Sequence, residues 1–130
     1  MRVLVTGGNG YIGSCVARRL AERGDEVVAT WRRNQARIRR YAPGVEYRQL
    51  DAADTSAVDA IVTDIGPEAI VHTAALVPLR ESPDKIPGLL VANLSAPGNL
   101  IAAGCAAGCR RIVFTSSVSV YGSESSTQEG

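Results

Sequence analysis

The run Thr6-Gly7-Gly8-Asn9-Gly10-Tyr11-Ile12-Gly13 constrains this chain more than any other feature. It follows an apolar segment, Arg2–Thr6 (RVLVT), that reads as a buried strand. It opens the segment Tyr11–Arg23, where Ile12, Val16 and Leu20 fall on one helical face. Glycines clustered at a strand-to-helix junction mark a loop that cradles a pyrophosphate. Gly7 lets the chain turn sharply off the strand, Gly10 lets backbone N–H groups approach a phosphate, and Gly13 lets the helix pack close on the sheet. The helix N-terminus adds a positive dipole end and unpaired N–H donors, those of Tyr11 and Ile12 among them. Gly8, Gly10 and Gly13 also satisfy G-x-G-x-x-G.

Downstream, short apolar runs keep alternating with helical patterns. Strands are expected at Glu26–Thr30, Val45–Leu50, Ala69–Thr73 and Ile112–Thr115. Gly24 is a natural stop for the first helix, and a short second helix is expected over Asn34–Tyr41. Asp54 or Thr55 can cap the next one, in which Val58, Ile61, Val62 and Ile65 recur at i, i+3, i+4 and i+7. A long helix is expected from Ile86 to Ala107, with Pro97 kinking or splitting it. Continuous apolar strands separated by helices imply a parallel sheet covered on both faces. The fold class is therefore α/β: a Rossmann-type, doubly wound, three-layer α/β/α domain of about five strands, over residues 1–121. A polar tail without periodicity follows over 122–130.

Composition sets outer limits. The 130 residues are 45% hydrophobic and 21% charged, which suits one globular domain with a real core. A net charge of +1 argues for neither nucleic acid nor a membrane surface as partner. The stretch Gly98–Cys109 is low in charge but too short and too rich in Gly and Ala to span a bilayer. Cys15, Cys105 and Cys109 lack metal-ligand spacing, so no metal site is expected. Cys105 and Cys109 are expected to act as small apolar residues near a helix end. With no export segment at the N-terminus, a reducing, cytoplasmic location is the default expectation.

The ends of the later strands complete the site. NAD-preferring sites place Asp or Glu at the end of the second strand to bind the ribose 2′-OH. Here Thr30-Trp31-Arg32-Arg33 supplies two cations and no acid. Arginine binds a 2′-phosphate in bidentate fashion, so Arg32 and Arg33 favour NADP over NAD. The competing reading is a solvated arginine face, because 32–48 also holds Arg37, Arg39, Arg40 and Arg48 against the single acid Glu46. Trp31 either covers the adenine or packs under the helix. Asp51, followed by Ala52, ends the third strand, where a carboxylate can accept the adenine amino group or can serve only as a turn acid. Thr73, Ala74 and Ala75 end the fourth strand and are small enough to pass close under the ribose and nicotinamide.

With these motifs in order along nearly the whole chain, the sequence resembles the extended short-chain dehydrogenase/reductase superfamily, in particular its nucleotide-sugar epimerases and dehydratases. Thr6-Gly7, Gly10 and Gly13 match the family's T-G-x-x-G-x-x-G, and Asp51 its adenine-contacting acid. His72-Thr73-Ala74-Ala75 is similar to its segment under the cofactor. Asn93 matches the family's N-V-x-G-T helix, with Ala96-Pro97 replacing Gly-Thr. Phe114 to Gly122 is similar to F-x-S-S-x-x-V-Y-G. The resemblance implies a cofactor-binding role for Asn93 and makes Ser117 the active-site serine that hydrogen-bonds the reacting sugar hydroxyl or carbonyl. Ser116 and Ser119 are then structural, and His72 a packed histidine rather than a base. It also implies a sugar-nucleotide-like substrate for a full-length parent. Because the family often pairs through helices of this half, a homodimer is a candidate assembly, although no decisive apolar patch is visible in the sequence.

One part of the family pattern is missing. Its catalytic pair is Tyr-x-x-x-Lys, but Tyr11, Tyr41, Tyr47 and Tyr121 are followed four residues later by Cys15, Val45, Asp51 and Ser125. The only lysine is Lys85. The expectation is thus the NAD(P)-binding part of an epimerase, dehydratase or reductase, inactive as these 130 residues alone. The alternative is a non-catalytic NADP(H)-binding, redox-sensing module.

Overall fold

The structure is a computed structural model and describes residues 1–33, 41–77 and 82–121. Five strands form one parallel sheet: β1 (Arg2–Thr6), β2 (Glu26–Trp31), β3 (Val45–Gln49), β4 (Ala69–His72) and β5 (Arg111–Phe114). Their spatial order is β3-β2-β1-β4-β5. The order reverses between β1 and β4, so the chain leaves the sheet on opposite sides of one crevice there. The fold class read from the sequence is the one observed, and strand boundaries differ from expectation by a residue at most. The expected helix at Asn34–Tyr41, Arg37, Arg39, Arg40 and the tail 122–130 lie outside the described residues, apart from Tyr41.

Helices cover both faces. Side chains alternate along a strand, so Leu4, Val28, Ile70 and Ile112, aligned by register, share one face. That face packs on α2 (Thr55–Ile65) through Val58, Ile61, Val62 and Ile65 and on α4 (Ala96–Ala106) through Leu100 and Ala103. Each fully buried aliphatic side chain stabilises the fold by about 1.5–3 kcal/mol. Asp54 is the cap of α2, its carboxylate accepting the Ala57 N–H at 3.0 Å, and Gly66 ends that helix in the left-handed region. The opposite face, with Val3, Val5, Val27 and Ala29, packs on α1 (Tyr11–Glu22).

Three expectations need correction. The sheet-facing positions of α1 are Gly13 and Ala17, flanked by half-buried Val16 and Leu20, whereas Ile12 is 54% exposed. The close approach of α1 to the sheet leaves no room for a large side chain on its first inward turn. Cys105 is exposed rather than packed, although Cys109 does pack against the core. The apolar helix is also longer than the stretch Gly98–Cys109. It runs from Pro83 to Ala106, 24 residues, long and apolar enough by length and composition to cross a membrane. In this fold it is a layer helix with Ala96, Pro97, Leu100, Ala103 and Gly104 buried.

Pro97 splits this helix as expected, in a specific way. A 3-10 turn (Pro83–Lys85) leads into α3 (Ile86–Leu90), a π-helical turn (Val91–Ser95) and then α4. Pro97 has no N–H to continue the α ladder. The wider turn before it shifts the bonding by one residue, the Ala96 N–H donating to the Val91 carbonyl.

Candidate functional site

A cleft of about 380 Å³ opens at the carboxyl ends of the strands, over the point where strand order reverses. Gly7 and Gly10 from the loop after β1 line it, opposite Thr73, Ala74 and Ala75 from the loop after β4. Trp31, Arg32 and Arg33 line its β2 side, and Asp51 and Ala52 its β3 side. Ten of the expected site residues thus share one cavity.

The glycine loop is held by sterics as well as by bonding. Gly7 has φ of +75°, and a Cβ there would lie 2.8 Å from the Ala74 nitrogen. A Cβ on Gly13 would lie 2.2 Å from the Gly7 carbonyl oxygen and 2.6 Å from Thr73 Oγ1. Gly13 therefore locks α1 against the loop rather than lining the cleft. The Gly10 N–H donates to the Gly7 carbonyl at 2.8 Å, and Gly10 is the N-cap of α1. No side chain caps α1 and no acid stands in its first turn, so its positive end faces the cleft unneutralised. Tyr11 and Ile12 belong to this first turn by their backbone; their side chains are exposed and outside the cleft lining.

The loop after β4 is pinned on both sides. Thr73 donates from N and from Oγ1 to the Thr6 carbonyl, at 3.1 and 2.7 Å. Asn93, in the π-helical turn, uses both ends of its amide on Leu76: Nδ2 donates to the Leu76 carbonyl and Oδ1 accepts its N–H, each at 2.8 Å. Asn93 does not line the cleft. Through Leu76, which does line it, Asn93 shapes the wall of the cleft.

Among the described residues, Asp51 is the only acid lining the cleft. Its Oδ1 accepts the Ala53 N–H at 3.1 Å, and its carbonyl accepts the Asp54 N–H at 3.0 Å. It is thus a turn acid and a cleft acid at once. Arg32 is half-buried, with its carbonyl accepting a bond from Gln49 Nε2 at 2.9 Å, and Arg33 is exposed. Trp31 lies half-buried beside them.

Two residues stand apart. Ser117 lies three positions beyond β5, exposed, and is not among the residues lining the cleft. His72 is buried beneath the strand ends, its Nδ1 2.6 Å from Thr6 Oγ1 and its ring stacked on Phe114 at 5.6 Å. Burial pushes its imidazole below the usual histidine value, so it is neutral and packed. Sequence reasoning missed Asn9, Ala53, Leu76, Ala92 and Ala96 as lining residues. Asn9 and Ala53 adjoin motifs already marked; the helix carrying Ala92 and Ala96 is expected from the sequence, but which of its residues reach the cleft is set by tertiary packing.

Comparison with known proteins gives the arrangement a lineage. The family model described as NAD dependent epimerase/dehydratase family matches residues 3–130. The chain is 34% identical to a UDP-glucose 4-epimerase of Klebsiella pneumoniae, over 95% of this chain and 94% of that sequence. It is 37% identical to a 2-alkyl-3-oxoalkanoate reductase of Stenotrophomonas maltophilia, over 92% of this chain and 34% of that one. Among solved structures, a UDP-glucose-4-epimerase of Stenotrophomonas maltophila with bound NAD and formylated UDP-arabinopyranose superposes with a TM-score of 0.82 at 32% identity, covering 95% of this chain and 39% of that one. The chain therefore spans little more than a third of the reductase and of the solved epimerase. A parallel sheet in this order, a glycine loop at its reversal point and a family match over almost every residue agree: the chain belongs to the NAD dependent epimerase/dehydratase family.

Proposed function

We propose that the cleft binds a nicotinamide dinucleotide, with NADP preferred, and that the chain is the nucleotide-binding part of an epimerase-, dehydratase- or reductase-type oxidoreductase. The observation that carries this reading is the Gly7–Gly13 interlock, a close packing of loop and helix that any Cβ would disrupt and that sets the helix N-terminus at the cleft. The uncapped N-terminus of α1 receives the pyrophosphate through the N–H groups of Tyr11, Ile12 and Gly13. Asp51 accepts the adenine amino group. Arg32 and Arg33 neutralise a 2′-phosphate, because no acid stands at the end of β2 to receive a free 2′-OH. The alanines after β4 leave room for the nicotinamide ribose. When bound, the cofactor supplies hydride transfer to or from a sugar-nucleotide-like carbonyl or alcohol. Ser117 is the candidate hydrogen-bond partner of that substrate. With no Tyr-x-x-x-Lys in these residues, proton transfer has no group of that kind here, and no turnover by this chain alone is expected.

Calorimetric titration with NADP+ and NAD+ tests the reading. NADP+ is expected to bind roughly tenfold more tightly, about 1.4 kcal/mol, and the double variant R32A/R33A to erase that preference. Tighter NAD+ binding would keep the cleft and remove the arginines as phosphate ligands. For a homodimer, the candidate surface is the outer side of the helix from Pro83 to Ala106, where Leu90, Leu94 and Ile101 are exposed. An apolar stripe on one helix meets itself across a two-fold axis. Sedimentation velocity of the wild type and of L94E/I101E reads that assembly directly.

A further inference from the structure

We infer that Asn99 is a positioning residue for adenine recognition, acting through the two peptide units that follow Asp51. The inference rests on the reading of the cleft as a dinucleotide site. Asn99 lies on α4 and does not line the cleft. Its Nδ2 donates to the Ala52 carbonyl at 3.1 Å and to the Ala53 carbonyl at 3.2 Å. Its Oδ1 accepts the Thr55 hydroxyl at 3.3 Å. The N–H groups of those same two peptide units point the other way. The Ala53 N–H donates to Asp51 Oδ1, and the Asp54 N–H donates to the Asp51 carbonyl.

Peptide units are planar, so holding the oxygen on one side fixes the N–H on the other. One amide on α4 thereby fixes two planes, and the two planes fix both the backbone and one carboxylate oxygen of Asp51. The remaining oxygen is left oriented relative to the cleft. Local sequence does not supply this constraint: Asp54 caps α2 and steadies the helix end, but its side chain does not hold the Ala52 or Ala53 carbonyl. Without Asn99 the loop keeps its turn and the packing of Ala52 but loses its hydrogen bonds to the layer helix.

A residue that only tethered α2 to α4 would affect every ligand of the cleft alike. A residue that aims Asp51 affects ligands with an amino group at the adenine 6-position, and spares an analogue with a carbonyl there. The test is titration of the 130-residue chain with NADPH and with its hypoxanthine analogue, for wild type, N99D and T55V. N99D keeps the side-chain size and removes both donors. T55V keeps the donors and removes the bond that orients the amide. The wild type is expected to prefer NADPH roughly tenfold, as for one hydrogen bond to a charged acceptor. N99D is expected to bring the two affinities together mainly by weakening NADPH, and T55V to do so partway.

A folded N99D that keeps the preference, or that weakens both ligands equally, overturns the inference. Should N99D fail to fold, an unchanged preference in T55V overturns it. Wild-type protein that binds both ligands equally removes the role of Asp51 and the inference with it. Wild-type protein that binds neither overturns the dinucleotide reading itself.

Discussion

At Gly13 a single hydrogen stands where any other residue would place a carbon 2.2 Å from a carbonyl oxygen. G13A must push α1 off the glycine loop, which for an overpacked contact costs about 1–3 kcal/mol. Urea unfolding should show that loss, and the same variant should lose dinucleotide affinity even where it is folded. His72 sets a second test at this scale. It is the only histidine in the chain, and burial holds its folded value below the usual 6.5. As pH falls, the unfolded chain takes the proton first. Stability from the neutral ring is therefore full above that usual value and declines as pH drops below it. Urea midpoints should fall between about pH 7.5 and about pH 5 in the wild type and fall less in H72N. The placement of Gly7, Gly10, Arg32, Arg33 and Asp51 in the cleft lining was legible because residue type at a strand end marks it. Asn93 and Asn99 were not legible in the same way. Their partners, Leu76 and Ala52–Ala53, are 17 and 46–47 residues away, and an amide's spacing carries no trace of such bonds.

Elements were readable wherever periodicity and punctuation agreed. In α2, the apolar spacing appears as the pattern requires, Asp54 rather than Thr55 is the cap, and Gly66 stops the helix. D54A removes a side-chain acceptor for the Ala57 N–H and should lower stability by about 1 kcal/mol in chemical denaturation, with the Asp51 turn retained. In α1, periodicity misled. Ile12 belongs to the apolar repeat but stands exposed, because steric contact with the loop overrides hydrophobicity at the first inward turn. The helix from Pro83 shows the other limit. Pro97 signalled a break, but a π-helical turn and its one-residue shift depend on how the whole helix sits on the sheet. That shift matters to the site, since the turn carries Asn93 and, through it, the wall at Leu76.

Across the whole molecule, the cleft exists because β1 and β4 lie side by side while their following segments diverge. Thr6, Thr30, His72 and Phe114 form one row at the strand ends, directly beneath the two loops that face each other. Topology thus brings together residues from five separate stretches of chain; the alternation of strands and helices pointed to a parallel sheet, while the strand order that makes the cleft was not read from it. Trp31, the only tryptophan, lines this cleft, so a reduced nicotinamide bound there would lie close enough to quench its emission by energy transfer. Titration of the chain with NADPH while exciting Trp31 is the most direct test of the central claim. Saturable energy transfer, abolished by G13A and stronger at a given concentration with NADPH than with NADH, is the predicted result. A folded chain that shows no saturable transfer with either nucleotide would contradict it.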